Sequence, residues 1–208
     1  MPKMTRLLAV SILATLICLP ATEARWGKKK RAKKAANATS AVFELQSGIV
    51  AQMAEVRRAM SWVDSEPQRA EAWQGLGTVL ADVGDYEDAL TALMRATELA
   101  PDDPATWTDL GAVYLRSGEN KQGIKALEQA LKLEPFFAKA HYNLGIAYLE
   151  TGQHDKALDA FEAALLIEPS LADPKVNAGA VNNRALDLVK LRVYLRTTGA
   201  APAILTGE

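Results

Sequence analysis

Residues 70–171 consist of three 34-residue segments that align without a gap: AEAWQGLGTVLADVGDYEDALTALMRATELAPDD (70–103), PATWTDLGAVYLRSGENKQGIKALEQALKLEPFF (104–137) and AKAHYNLGIAYLETGQHDKALDAFEAALLIEPSL (138–171). All three have Leu-Gly at positions seven and eight, Gly at position fifteen and Pro at position thirty-two. Gly at the fifteenth position can adopt the left-handed conformation that ends a helix, and Pro disfavours helix in the residue before it. Each segment is therefore predicted to be a helix, a tight turn and a second helix, over about 70–83 and 86–99 in the first segment.

The positions that the three segments share are mostly apolar or small. They are the columns Trp73/Trp107/His141, Leu76/Leu110/Leu144, Gly77/Gly111/Gly145, Leu80/Tyr114/Tyr148, Gly84/Gly118/Gly152, Ala89/Gly123/Ala157, Leu93/Leu127/Phe161, Ala96/Ala130/Ala164 and Pro101/Pro135/Pro169. This pattern resembles the tetratricopeptide repeat, and the resemblance covers about half of the chain. It implies an all-α protein, a right-handed α-solenoid of helix-turn-helix repeats with an N-terminal lead-in helix and a long C-terminal capping helix. One repeat cannot bury its own apolar face, so the three repeats are expected to stack.

One shared Gly in each segment lies inside the first helix, at Gly77, Gly111 and Gly145. Gly in a helix interior costs up to ~1 kcal/mol relative to Ala. Its presence in all three segments predicts that the second helix of the same repeat leaves no room for a side chain.

Charge is unevenly distributed along the 208 residues. Residues 35–208 carry 15 Lys and Arg against 24 Asp and Glu, whereas the residues between 25 and 34 include seven Lys and Arg and no acid. A basic arm therefore precedes an acidic body. The only cysteine, Cys18, lies in a segment that we expect to be removed, so the mature chain is predicted to have neither a disulfide nor a thiolate metal site.

Residues 1–24 have the pattern of a secretory signal peptide. Lys3 and Arg6 supply the charged start, residues 7–19 are uncharged and apolar, and Ala24 offers a cleavage site. The apolar run of 13 residues is shorter than the ~20 that a membrane-spanning helix needs. We expect a periplasmic or secreted protein after cleavage.

Residues 25–37 are predicted to be a disordered basic arm, because they combine high charge with few apolar residues. An alternative is attraction of the arm to an anionic surface such as phospholipid heads. The arm's basic residues are Arg25, Lys28, Lys29, Lys30, Arg31, Lys33 and Lys34. They follow the apolar run directly, and the positive-inside tendency would keep them cytoplasmic. An uncleaved anchor with the repeats in the cytoplasm is therefore the alternative to export.

Residues 38–66 are predicted to form a lead-in helix, with Ser40 as its N-cap. Its apolar residues recur every seven positions, at Val42, Ile49, Val56 and Val63. We expect this stripe to cover the first repeat as a cap, and the alternative is a self-associating helix.

Residues 172–197 are predicted to form a C-terminal capping helix, with Asp173 as N-cap and Pro174 in its first turn, followed by a tail over 198–208. Apolar residues between Leu186 and Leu195 lie on several faces of this helix. They predict that the tail covers it, that it folds against the groove, or that it contacts a second copy.

The sequence contains no recognisable catalytic constellation. His141 replaces the Trp of the third repeat and is expected to pack, and His154 is expected to be solvated. Two separate histidines make a poor metal site, and no phosphate loop, dinucleotide fingerprint or nucleophile motif is present. We therefore expect a non-enzymatic protein that needs no metal or cofactor.

The resemblance implies a partner-binding groove built from the first helices of the repeats. Its predicted residues are Gln74, Thr78, Asp82, Thr108, Asp109, Ala112, Leu115, Arg116, Lys139, Tyr142, Asn143, Ile146, Leu149 and Asn177. In this family a clamp for C-terminal carboxylates needs Lys and Asn in one repeat, Asn in the next, and Lys with Arg in the third. Only Lys139 matches, so the sequence excludes a carboxylate clamp. Asn143 and Asn177 stand where the family can hold an extended peptide backbone.

An apolar patch is predicted in this groove, formed by Ala112, Leu115, Tyr142, Ile146 and Leu149. Such a patch suits an apolar peptide or an amphipathic helix, and the acidic body argues against nucleic acid. The leading hypothesis is a protein-interaction adaptor of the cell envelope. The alternative is a self-assembling structural protein that oligomerises through its terminal helices or by stacking of its arrays.

Overall fold

The computed structural model describes residues 28–177 and 183–198. Within these ranges the chain is all-α, with no strand. The helices are α1 (Lys28–Ser65), α2 (Ala70–Asp82), α3 (Tyr86–Leu99), α4 (Pro104–Arg116), α5 (Asn120–Leu133), α6 (Ala138–Glu150), α7 (His154–Ile167) and α8 (Arg184–Thr198), with a 3-10 turn over Pro169–Ala172. The predicted signal peptide, Arg25 and the last ten residues lie outside the described residues.

The chain divides into two compact units, residues 1–51 and 52–208. In the described part of the first unit, residues 28–51 are helical throughout. None of the helices in the described ranges is both long enough and apolar enough to cross a membrane.

The predicted disorder of the basic arm is wrong for residues 28–37, which are the first turns of α1. The predicted helix start at Ser40 is wrong for the same reason. Residues 28–36 contain Lys, Arg and Ala but no Gly or Pro, and these are among the best helix formers. High charge therefore did not prevent helix formation here.

In each repeat of the second unit, two helices are joined by a turn that contains a left-handed Gly. Gly84 has φ +85°, and its N–H donates to the carbonyl of Ala81 at 3.1 Å. The carboxylate of Asp85 then accepts from the N–H of Asp88 at 3.4 Å, which caps α3. The turn thus satisfies backbone groups at both helix ends.

The interior Gly of each repeat lies where the two helices touch. A Cβ atom added to Gly77 would lie 2.5 Å from Cγ of Leu93 and 3.1 Å from the carbonyl oxygen of Ala89, both on α3. The corresponding distances from Gly111 to Leu127 and from Gly145 to Phe161 are both 2.6 Å. The prediction that the second helix leaves no room for a side chain is confirmed.

The aromatic column at position four makes the same contact in all three repeats. The Nε1–H groups of Trp73 and Trp107 each donate to the carbonyl of the Pro six residues earlier, at 2.8 Å. The ring of His141 takes that place in the third repeat, with Nε2 2.9 Å from the carbonyl of Pro135. His141 is therefore a packing residue, as predicted.

Helix α1 covers the first repeat with the C-terminal part of its apolar stripe. Val63 is buried, and Val56 and Met60 pack beside it against the core of the first repeat. The predicted capping role of this part of the helix is confirmed. Trp62 lies over α2, at van der Waals distance from the position of a Cβ on Gly75.

The C-terminal helix begins at Arg184, so the predicted start at Asp173 is wrong. The carboxylate of Asp173 accepts from the N–H of Lys175 at 2.9 Å, and its carbonyl accepts from the N–H of Asn177 at 2.8 Å, which forms a turn. Asn183 is the cap instead, because its side-chain oxygen accepts from the N–H of Ala185 at 3.1 Å. Helix α8 then buries Leu186 and Val189 completely, in a cluster with residues of α6 and α7.

Candidate partner-binding groove

The first helices of the three repeats, α2, α4 and α6, lie side by side and are linked by polar side chains. Asp109 of α4 is the centre of this contact. Its carboxylate accepts from Nε2 of Gln74 on α2 at 2.8 Å and pairs with Nζ of Lys139 on α6 at 2.9 Å. Three predicted groove residues from three repeats are therefore brought together on one surface, which we call the groove face.

A second pair joins α2 and α4 at the ends of these helices. Nη1 of Arg116 lies 3.2 Å from Oδ1 of Asp82, and its guanidinium lies 5.4 Å from the ring centre of Tyr86. Asp82 and Arg116 are both exposed, so screening by solvent limits the stabilisation that this pair provides.

Exposure on the groove face follows the position in the repeat. Positions two, six, nine and thirteen recur at intervals of four, three and four residues, so they form one stripe on each helix. These residues are all partly or fully exposed: Glu71, Gly75, Thr78, Asp82, Ala105, Asp109, Ala112, Arg116, Lys139, Asn143, Ile146 and Glu150. We call them the groove stripe.

Three predicted groove residues lie beside the stripe and are buried, so the prediction that they face a partner is wrong. Thr108 is fully buried and donates its hydroxyl to the carbonyl of Pro104 at 2.8 Å. Leu115 packs against α5, with Cδ2 only 2.6 Å from the position of a Cβ on Gly123. Tyr142 is 5% exposed, and its ring meets Phe161 edge-on at a centroid distance of 5.4 Å. Leu115 and Tyr142 thus belong to the core.

The apolar surface that remains in the groove is formed by Ala112, Ile146 and Leu149, each partly buried. We call these three residues the apolar strip. Gln74 and Thr78 on α2 and Asn143 on α6 are also partly buried.

Asn177 lies at the end of the groove face beside Tyr142, and it is already engaged within the chain. Its Nδ2 donates to the carbonyl of Leu171 at 3.0 Å. Burial raises the pKa of the Tyr142 hydroxyl, and the side chain of Asn177 beside it partly opposes this rise in pKa. Asn177 therefore fixes the segment after α7 against the third repeat.

Two family profiles match this part of the chain. The profile described as "Tetratricopeptide repeat" matches residues 108–173, and the one described as "TPR repeat" matches residues 77–118. The repeat region belongs to the tetratricopeptide repeat family. A search of curated proteins finds no match.

Solved structures of tetratricopeptide repeat proteins share this fold. "Crystal structure of MamA" is 25% identical, with a TM-score of 0.53 over 69% of this chain and 85% of that one. "Crystal structure of MamA protein" is 24% identical, with a TM-score of 0.54 over 75% of this chain and 87% of that one. "First TPR of Spaghetti (RPAP3) bound to HSP90 peptide SRMEEVD" is 20% identical, with a TM-score of 0.50 over 64% and 95%. Tetratricopeptide repeats are protein-interaction modules, and this chain has their fold.

The groove of this tetratricopeptide array differs from a carboxylate clamp in its charge as well as its residues. Lys139, the one matching cation, is already paired with Asp109 at 2.9 Å. The exclusion drawn from the sequence therefore gains a structural reason, because a carboxylate ligand would have to compete with Asp109.

In the described parts of the chain, no group of three or more His, Cys, Asp or Glu residues lies close enough together to hold a metal ion. His154 is exposed at the first position of α7. A shallow surface depression of about 600 Å³ lies on α1, where it is lined by Ala54, Arg57, Arg58, Ser61, Trp62 and Ser65.

A cluster of charges that sequence reasoning missed holds α8 on the array. Glu162, with only 10% of its side chain exposed, accepts from Nη1 of Arg196 at 2.6 Å and lies 3.5 Å from Nε of Arg192. Arg192 also lies 3.4 Å from Oδ1 of Asp159. We call these four residues the α8 clasp. Its only sequence signal is opposite charge at a separation of 33 or 34 residues, about one repeat length.

Proposed function

We propose that this chain is a non-enzymatic adaptor whose groove holds a segment of a partner protein during assembly in a bacterial-type cell envelope. The observation that carries the proposal is the groove stripe. It is the face of α2, α4 and α6 that the described parts of the chain leave partly or fully exposed, and its residue types change from repeat to repeat. A surface that served only packing would keep the same residues at each position.

The apolar strip and its polar surroundings favour a polypeptide partner. Ala112 and Ile146 occupy the same position in successive repeats, and Leu149 lies one turn from Ile146. Grooves of this composition receive amphipathic helices or apolar peptides. The Spaghetti (RPAP3) domain, which shares the fold, was solved with a peptide bound, and this supports a peptide-binding role here.

A photo-crosslinking experiment in cells tests the groove. A photoreactive amino acid would be placed at Thr78 and, separately, at Asn143, with Glu128 on α5 as the control position outside the groove. We expect one and the same protein to be captured from both groove positions and not from Glu128. Different proteins from the two groove positions, or equal capture from Glu128, would contradict a groove-bound partner.

For localisation we propose export and cleavage after Ala24, with the array in the periplasm or outside the cell. The support is the order of charged start, apolar run and small residues in residues 1–24. The alternative keeps the anchor and places the repeats in the cytoplasm. The mass of the mature chain separates the two, because cleavage leaves Arg25 as the first residue. A full-length mass, with repeats that resist external protease in spheroplasts, would establish the alternative.

Self-assembly is a second candidate, and the outer side of α8 favours it. Leu188, Leu191 and Tyr194 are 60%, 56% and 59% exposed, and their spacing of three residues places them on the side opposite Leu186 and Val189. We expect light scattering to show concentration-dependent association that Leu191→Glu abolishes.

The matched control for that substitution is Phe136→Glu, which alters an exposed apolar residue in the loop between α5 and α6. A monomer at all concentrations, or equal effects of the two substitutions, would contradict self-assembly through α8.

A further inference from the structure

The array has a strong negative charge that its groove does not neutralise. Residues 70–171 contain 17 acidic and 7 basic residues. The two basic residues of the groove stripe, Arg116 and Lys139, are already paired with Asp82 and Asp109. The remaining potential over the groove is therefore negative, and such a potential attracts basic partners.

Two of the groove carboxylates occupy positions that disfavour them for stability. Asp82 is the last residue of α2, and Glu150 is the last residue of α6. The negative end of the helix dipole disfavours a carboxylate at this position. Asp82 is 78% exposed despite its contact with Arg116, and Glu150 is exposed on the same side of the groove. Arg116 offsets this cost for Asp82, whereas no ion pair among the described residues offsets it for Glu150, so a cation from outside the chain would favour the placement of Glu150.

The structure already shows this array holding a basic helix, namely its own α8. That helix carries four basic residues and one acidic residue. It buries Leu186 and Val189 and places Arg192 and Arg196 on the carboxylates of Asp159 and Glu162. A helix can thus dock on this array by burying apolar side chains against it and pairing its arginines with carboxylates on either side.

We propose that the partner segment in the groove is a basic amphipathic helix. Its apolar side would lie on the apolar strip (Ala112, Ile146 and Leu149), and its Lys or Arg side chains would meet Asp82 and Glu150. This inference rests on the proposed function and adds the chemical class of the partner. Apolar contact supplies affinity, and the carboxylates supply selectivity for positive charge.

Two synthetic 15-residue helical peptides test the inference. Both carry leucines at helical spacing, and the remaining positions are Lys in one peptide and Glu in the other. Fluorescence anisotropy with the purified chain measures the binding of each. We expect the Leu-Lys peptide to bind at least about tenfold more tightly at low salt, and the difference to shrink as added salt screens the charges.

Matched charge reversals locate the site. Asp82→Lys with Glu150→Lys changes the groove, whereas Glu128→Lys with Glu134→Lys makes the same change in net charge on exposed residues of the second helix and its end. We expect the groove pair to weaken the Leu-Lys peptide about tenfold, and the control pair less than twofold, with circular dichroism confirming that both variants fold.

Equal weakening by the two pairs would overturn the inference, because binding would then follow net charge alone. Equal or tighter binding of the Leu-Glu peptide in the groove would also overturn it, while leaving a peptide-binding groove in place. Binding of neither peptide would contradict the inference and the proposed groove function together.

Discussion

Two glycines of α2 should respond in opposite ways to the same substitution. Gly75 and Gly77 are two residues apart in one helix, so Ala at either position gains the same helix propensity, about 1 kcal/mol. What differs is the space around each Cβ. At Gly75 the nearest atoms belong to the ring of Trp62, at 3.4 and 3.7 Å, which is ordinary van der Waals contact.

At Gly77 the new Cβ would lie 2.5 Å from Cγ of Leu93, 3.1 Å from Cδ2 of Leu93 and 3.1 Å from the carbonyl oxygen of Ala89. Leu93 is completely buried, and Cγ is not the movable end of its side chain. Relief therefore needs a shift of α3 against α2, and overpacking of this kind costs about 1–3 kcal/mol. A contact of 2.5 Å with a buried side chain places this cost in the upper part of that range, about 2–3 kcal/mol, so after the gain of about 1 kcal/mol in helix propensity we expect Gly77→Ala to destabilise the fold by about 1–2 kcal/mol.

Urea unfolding followed by circular dichroism at 222 nm measures both variants. We expect Gly75→Ala to raise the free energy of unfolding by about 0.5–1 kcal/mol and Gly77→Ala to lower it. The two variants share a helix, an interior position and a chemical change, so each is the control of the other. A Gly77→Ala variant as stable as the wild type would refute the close helix packing on which the repeat geometry depends.

Further substitutions test other contacts. Trp107→Phe removes the N–H that donates to a backbone carbonyl and should lower the free energy of unfolding by about 1 kcal/mol in thermal or urea unfolding. Burial raises the pKa of Tyr142 above its ordinary value of 10.0. The contribution of its neutral form to stability is therefore complete below pH 10 and is lost as pH rises through the higher pKa of the folded state. Unfolding curves of Tyr142→Phe should lack this alkaline loss of stability. Glu162→Gln should weaken amide-exchange protection of α8 several-fold, whereas Asp187→Asn, which breaks an exposed pair with Lys190, should change it by less than about twofold. Similar protection in both variants would contradict the assignment of the α8 clasp.

The sequence predicted the repeat fold well because the shared positions report directly on packing. Gly84 determines where α2 ends, and the side chain of Leu93 determines how much space remains at Gly77. These residues all lie within one 34-residue repeat. Such contacts are local and occur three times, so the repetition itself identifies them. The prediction was correct for α3, which runs over Tyr86–Leu99 as the sequence indicated.

The sequence predicted the ends of the described chain less well, because nothing repeats there. Asp173 and Pro174 have the composition of a helix start, but Asp173 forms a turn and the helix begins after Asn183. Asp173 and Asn183 are both good helix caps, and which of them starts the helix depends on which later segment can bury apolar side chains. Leu186 and Val189 do so against α7, and this tertiary contact is not visible in local propensity.

The groove was predicted at the correct helices but with the wrong boundary, and the helical period explains the error. Positions two, six, nine and thirteen lie within about 60° of one another around the helix axis, whereas positions five and twelve lie about 70–90° to one side of their centre. At positions five and twelve, a side chain is therefore buried or exposed depending on which side chains pack beside it. Thr108, Tyr142 and Leu115 are covered, whereas Gln74 and Leu149 remain partly open. Selectivity for a partner is therefore expected at positions two, six, nine and thirteen. Asp82 and Glu150 occupy such positions and can be changed without disturbing the core, whereas changes at Leu115 or Tyr142 would alter stability together with binding.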